Sequence, residues 1–115
     1  MKKLASIILI FISIISFAQE KQKETKTISF KVSGTCEQCK KRIENAADIK
    51  GVKLAEWDEK TRVMKLTYRE DKVSETQIKQ AILNAGHDVD NEKAPATSYE
   101  HLPACCKYRE LNKGK

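Results

Sequence analysis

The sequence predicts an α+β domain: a four-stranded antiparallel sheet with two helices on one face, in the order β-α-β-β-α-β. Three observations predict it. Short runs of alternating apolar and polar residues mark strands. Two longer runs place apolar residues at helical spacing. A glycine follows each helical run, and Ser/Thr-x-x-Gln patterns precede both.

Taken in order, Thr27 to Val32 alternates, with Ile28, Phe30 and Val32 on one side and Thr27, Ser29 and Lys31 on the other, so it reads as a strand with one buried face. Glu37 to Ile49 reads as a helix whose Cys39, Ile43, Ala46 and Ala47 pack on the sheet, and Gly51 stops it. Val52 to Asp58 and Arg62 to Tyr68 are two strands joined at hairpin length through Asp58-Glu59-Lys60-Thr61. Ala55 and Trp57 should face inward from the first, and Met64, Leu66 and Tyr68 from the second. Ser74 and Gln77 form a capping box, Val73 and Ile78 a hydrophobic staple, and Ile78, Ala81, Ile82 and Ala85 line one helix face up to Gly86. His87 to Asp90 is a short last strand. A domain of this size has a thin core, and a tightly held ligand would help to stabilise it.

The ends differ from this unit. Met1-Lys2-Lys3 is basic, and Leu4 to Phe17 is an apolar run of 14 residues. Ser16 and Ala18 put small residues at the −3 and −1 positions of a cut before Gln19. This is the layout of a secretory signal peptide over residues 1–18, and the run is short of the roughly 20 residues a membrane span needs. Export to the periplasm or medium, with no membrane insertion after cleavage, is the expectation; an uncleaved anchor is the alternative. Residues 19–26 are polar and read as a flexible lead-in. Residues 92–115 form a tail, in which Pro103 suits the start of a short helix, Ala104 to Leu111, docked through Tyr99, Leu102, Tyr108 and Leu111. Lys113-Gly114-Lys115 is a frayed end.

The formal net charge is +6, and loss of residues 1–18 removes two lysines and no acids, leaving +4. The bases are interleaved with acids, and no basic stripe with aromatics appears, so nucleic acid is not an expected partner. No acid–base pair, Ser-His-Asp set or phosphate loop stands out, so the sequence does not read as an enzyme.

The chain has four cysteines: Cys36, Cys39, Cys105 and Cys106. An even count in an exported protein suggests disulfides, but one close pair and one adjacent pair look more like two sites than two staples. Cys36 and Cys39 lie in Ser33-Gly34-Thr35-Cys36-Glu37-Gln38-Cys39, where a strand hands over to a helix. With Thr35 as N-cap and Gln38 closing a capping box, both sulfurs sit at the helix start. Free backbone N–H groups and the positive dipole end there favour thiolate over thiol, and Lys40, Lys41 and Arg42 add positive charge. Thiolate is the form that binds metal or attacks a disulfide.

The Thr35-Cys36-x-x-Cys39 turn within this element order resembles the heavy-metal-associated domain family, of ferredoxin-like fold. That family includes copper chaperones, N-terminal modules of metal-transporting P-type ATPases and the periplasmic mercury-binding protein. Ile43 four residues after the second cysteine, Gly51-Val52 and Ala85-Gly86 carry the resemblance further, across residues 27–91. It implies that Cys36 and Cys39 are the metal ligands, and that the ion passes to a partner: a metal-transporting membrane protein or its soluble metal-binding domain. Two departures stand out. Gly34 replaces the methionine common in the family, which predicts a looser loop. His87 stands where the family often has an aromatic or Lys, on a loop expected to be solvated, so an exposed histidine is favoured over one that tunes or ligates the metal.

The tail Tyr99 to Tyr108 lies outside the resemblance. Three readings compete for it: Cys105, Cys106 or His101 completes the site; the tail is a second, separate soft-metal site; or Cys105 and Cys106 are a vicinal disulfide or a structural pair with no metal. Two thiolates alone suit Cu(I) or Hg(II), whereas four sulfurs, or sulfurs with histidine, suit Zn(II) or Cd(II). Cu(I) is the favoured cargo, as the resemblance implies. A thiol–disulfide redox protein is the alternative, disfavoured by the lack of an aromatic before Cys36 and by the small domain. A structural domain with oxidised cysteine pairs is a third.

Overall fold

A computed structural model describes residues 25–111. The expected leader, most of the polar lead-in and the Lys113-Gly114-Lys115 end lie outside the described residues. The lead-in is shorter than expected at its other boundary, because the first strand already begins at Thr25.

Strands β1 (Thr25–Lys31), β2 (Val52–Trp57) and β3 (Val63–Arg69) form an antiparallel sheet in the order β1-β3-β2. The register aligns Phe30 and Trp57 with Met64, and Ile28 and Ala55 with Leu66. Directly opposed residues share a face, so these two rows form one apolar surface, and Trp57, Met64, Leu66 and Tyr68 are buried as the alternation predicts.

Helix α1 (Glu37–Ala47) turns Cys39, Ile43 and Ala47 into the core, one residue per turn along a single stripe. Helix α2 (Glu75–Asn84) buries Ile78, Ile82 and Leu83; Ala81 and Ala85, expected on this face, are only half-buried. Its capping box is complete: Gln77 N–H donates to Ser74 Oγ at 3.2 Å, and Ser74 N–H to Gln77 Oε1 at 2.9 Å. Val73 and Ile78 both join the core, as a staple requires.

The described sheet has three strands, not four. His87 to Asp90 is reduced to a bridge between Val89 and Val32. The segment does run along the outer edge of β1: Ser33 N–H donates to the Asp88 carbonyl at 2.9 Å and Asp90 N–H to that of Lys31 at 2.8 Å. It goes no further because Val89 and Glu92 bond each other in both directions and Asp90 adopts φ +50°, so the chain turns back.

The tail is folded onto this body. It comprises α3 (Ala96–Glu100), a 3₁₀ turn (Ala104–Cys106) and α4 (Tyr108–Leu111). The single helix expected over Ala104 to Leu111 is interrupted at Lys107, whose ψ of 64° is not helical. Tyr99, Leu102 and Tyr108 are buried as docking residues, but Leu111 is 55% exposed and docks nowhere. Ala94, Tyr99, Leu102, Cys106 and Tyr108 belong to the same buried cluster as the sheet and helices. Gly86 permits this closure. It ends α2 at φ +105°, and a Cβ there would stand 2.7 Å from the Ser98 carbonyl oxygen and 3.0 Å from Leu102 Cδ2.

Candidate metal centre

The loop between β1 and α1 is held at three points. Ser33 bonds the Asp88 carbonyl through its N–H, and its own carbonyl accepts from His87 Nδ1 at 2.8 Å. Gly34 lies against Trp57: a Cβ at Gly34 would stand 2.9 Å from Trp57 Cη2 and Cζ2 and 3.1 Å from Cys39 Cβ. The loop is therefore not loosened by the small residue. The indole occupies the space that a side chain at Gly34 would need, and Trp57 Nε1–H is itself anchored to the Val32 carbonyl at 3.0 Å. His87 is fully buried rather than exposed, stacked 5.8 Å from the Tyr108 ring. Its Nδ1 carries the proton, since a carbonyl only accepts, and Nε2 has no partner among the described residues. Burial holds its pKa below the usual value, against the opposing hydrogen bond to Ser33.

Cys36, not Thr35, is the N-cap of α1, and no side chain caps this end. The two residues of the expected capping box are turned elsewhere. The Thr35 hydroxyl donates to the Cys105 carbonyl, and Gln38 Oε1 accepts from the Cys105 thiol at 2.8 Å. Thr35 N–H points at Cys39 Sγ at 3.4 Å.

The 3₁₀ turn of the tail lies over this helix start. Pro103 accepts from Cys106 N–H at 2.8 Å, a turn that sends Cys106 inward, fully buried, and leaves Cys105 exposed. All four cysteines are free thiols. Cys36 Sγ is 3.4 Å from Cys39 Sγ, 3.1 Å from Cys105 Sγ and 3.7 Å from Cys106 Sγ, and the last two are 3.9 Å apart. The sulfurs of Cys36, Cys39 and Cys106 all lie within 4.8 Å of one another, and could hold a metal ion. His101 stands outside this group. It is exposed, and its Nδ1–H donates to the Thr97 carbonyl at 2.6 Å.

Position sets the charge of each thiol. Burial pushes Cys36 up, but its contacts with Cys105, with the Cys39 backbone N–H and with the Cys39 and Cys106 thiols outweigh this and bring it down to about 7. Cys105 is pushed up, first by its contact with Cys36 and then by burial. Burial, then the contacts with Cys39 and Cys36, pushes Cys106 up strongly. These shifts draw Cys36 toward thiolate and hold Cys105 and Cys106 as thiols, and metal binding must displace the protons of the thiols it engages.

Residues 29–88 match the profile of the heavy-metal-associated domain. The chain belongs to the heavy-metal-associated domain family. Curated protein sequences give no match. Among solved structures, the CopZ metallochaperone is 32% identical with a TM-score of 0.54, over 56% of this chain and 98% of its own. Oxidized MerP from Ralstonia metallidurans CH34 is 26% identical with a TM-score of 0.55, over 58% and 96% of the two chains. The N-terminal domain of a potential copper-translocating P-type ATPase from Bacillus subtilis, in its Cu(I)-loaded state, is also 26% identical, with a TM-score of 0.55, over 58% and 86%. The heavy-metal-associated match ends at Asp88, so the tail cysteines lie beyond it.

Two parts of this centre escaped sequence reasoning. Asp88 and Arg109 pair at 2.7 Å and pin the tail, yet are 21 residues apart with no local pattern to link them. Thr35 and Gln38 were legible, but as a cap, because the competing partner Cys105 is contributed from 67 to 70 residues away.

Proposed function

We propose that this protein is an exported carrier or scavenger of a soft metal ion, Cu(I) in the first place, which it holds on Cys36 and Cys39 and passes to a metal transporter or its soluble domain. The observation that carries this reading is the convergence of the Cys36, Cys39 and Cys106 sulfurs at the start of α1 in a heavy-metal-associated domain. Copper is favoured because the similar structures include a CopZ metallochaperone and a Cu(I)-loaded ATPase domain. Export rests on the leader-like residues 1–18.

The chain's own residues account for the binding steps. Cys36, already drawn toward thiolate near neutral pH, is the readiest ligand of the inner pair. Thr35 N–H steadies charge on Cys39. The buried Trp57 ring, packed against Gly34, keeps water from that side.

A second reading rests on Cys106. With metal–sulfur bonds of about 2.3 Å, sulfurs stand about 4.6 Å apart around a linear ion, about 4.0 Å around a trigonal one and about 3.8 Å around a tetrahedral one. The separations of 3.1 to 3.9 Å, all short of a linear span, favour three or four sulfurs over two. Such a set also suits Hg(II), Zn(II) or Cd(II).

Anaerobic titration of reduced protein, read by native mass spectrometry against Cu(I), Zn(II) and Hg(II), tests both. One ion per chain, abolished in Cys36→Ser/Cys39→Ser, is the expected result. A double variant that binds Cu(I) as tightly as the wild type overturns the proposal. Insulin reduction by the metal-free protein would support the redox alternative instead.

A further inference from the structure

The four sulfurs are graded from surface to interior. Cys105 is exposed, Cys36 is half-buried, and Cys39 and Cys106 have no exposed surface. Cys105 touches Cys36 at 3.1 Å and Cys106 at 3.9 Å, on the solvent side of the group formed by Cys36, Cys39 and Cys106. It is held in that outer place by the side chains of Gln38 and Thr35.

The tail that carries it is not built to lift away. The Tyr108 hydroxyl accepts from Asp88 N–H at 3.0 Å and donates to the Gly86 carbonyl at 2.9 Å. Arg109 bonds Asp88 Oδ1 at 2.7 Å and the Ala94 carbonyl at 3.2 Å, and Ala94 N–H closes back on Asp88. Tyr99 and Leu102 are buried beneath. Freeing the tail would unmake this network and expose that apolar surface, whereas a thiol already at the surface needs no such opening.

We infer that Cys105 is the entry and exit sulfur of the centre: it meets a soft ion carried by an external thiol, a small thiol compound or the paired cysteines of another domain, and relays it to Cys36. The inference rests on the soft-metal reading above. The step is a ligand exchange. The bond from the ion to the carrier's thiolate breaks as the bond to Cys105 Sγ forms, and the Cys105 proton goes to the departing thiolate. The bond to Cys105 is then replaced by bonds to Cys36, Cys39 and Cys106; the freed Cys105 thiolate takes up one proton shed by the incoming thiols, and any others leave to water. No electron moves, and the ion keeps its oxidation state. Gln38 is a positioning residue, because its Oε1 fixes the direction of the Cys105 thiol.

The test separates rate from affinity. Loading of the full chain from Cu(I)–glutathione is followed by anaerobic stopped flow, and affinity by competition with a Cu(I) chelator. In Cys105→Ser, an exposed site that leaves the fold intact, loading should slow by about tenfold or more with little change in affinity. Gln38→Ala should slow loading in the same sense. Cys106→Ser should instead weaken affinity by about 10- to 100-fold. The relay is overturned if Cys105→Ser loads as fast as the wild type, or loses as much affinity as Cys106→Ser. Failure of the wild type itself to bind Cu(I) would overturn the soft-metal reading and the relay with it. Tight binding that depends on Cys36 and Cys39 but ignores Cys105 in both measurements would overturn the relay alone.

Discussion

Cys36 is chemically the most distinct of the four thiols. Its neighbours draw it down to about 7, while Cys105 and Cys106 are pushed the other way. In metal-free protein, iodoacetamide should therefore label Cys36 with a midpoint near pH 7, ahead of Cys105 even though Cys105 is the more exposed; peptide mapping of the labelled protein across a pH series checks this. Gly34 is the second residue whose surroundings decide its identity. Gly34→Ala drives a methyl to 2.9 Å from the Trp57 ring, and should cost about 1–3 kcal/mol in urea unfolding. At this scale the sequence was legible where a residue's role is local. The position of Cys39 on the buried stripe followed from spacing alone. His87 was not legible, because its burial is made by Tyr108, a tail residue that no pattern near His87 announces.

The two main helices start in different ways, and this follows from what lies beside them. Helix α2 begins at the surface, so Ser74 and Gln77 are free to close on each other. Helix α1 begins under the tail, and the residues with the same potential bond Cys105 instead. Ser74→Ala should thus cost about 1 kcal/mol of stability, the usual worth of an N-cap. Thr35→Ala should leave helix content by circular dichroism unchanged, since Thr35 does not cap, while hydrogen exchange at Cys105 and Cys106 quickens. Strands and helices were readable because their apolar periods are properties of the segment itself. The fourth strand was overread: the alternation of His87 to Asp90 is real, but the Val89–Glu92 turn cuts the ladder short.

For the molecule as a whole, the tail and the metal-binding unit are one packed body, joined through Asp88, Tyr108 and Arg109. Arg109→Met would leave Asp88 partly buried without its cation, and should cost about 1–3 kcal/mol and speed tryptic cleavage after Lys107. Two groups make this body sensitive to acid. His87 is held below its ordinary value of about 6.5 by burial, so the unfolded chain binds its proton first, and stability is lost as pH falls below that value. Asp88 is opposed by burial but held low overall by Arg109 and its other bonds, so its contribution is also lost with falling pH, at a more acid range. The melting temperature should drop between pH 7.5 and pH 5, and His87→Phe should flatten that part of the curve.

Trp57 is the chain's only tryptophan, and its ring rests on the loop that leads into Cys36. Its emission thus originates beside the cysteine loop, and a heavy, polarisable guest held there would dim or shift indole light. If the centre takes up an ion, the unlabelled protein carries its own optical gauge, one that would report filling and emptying in real time without dye or tag.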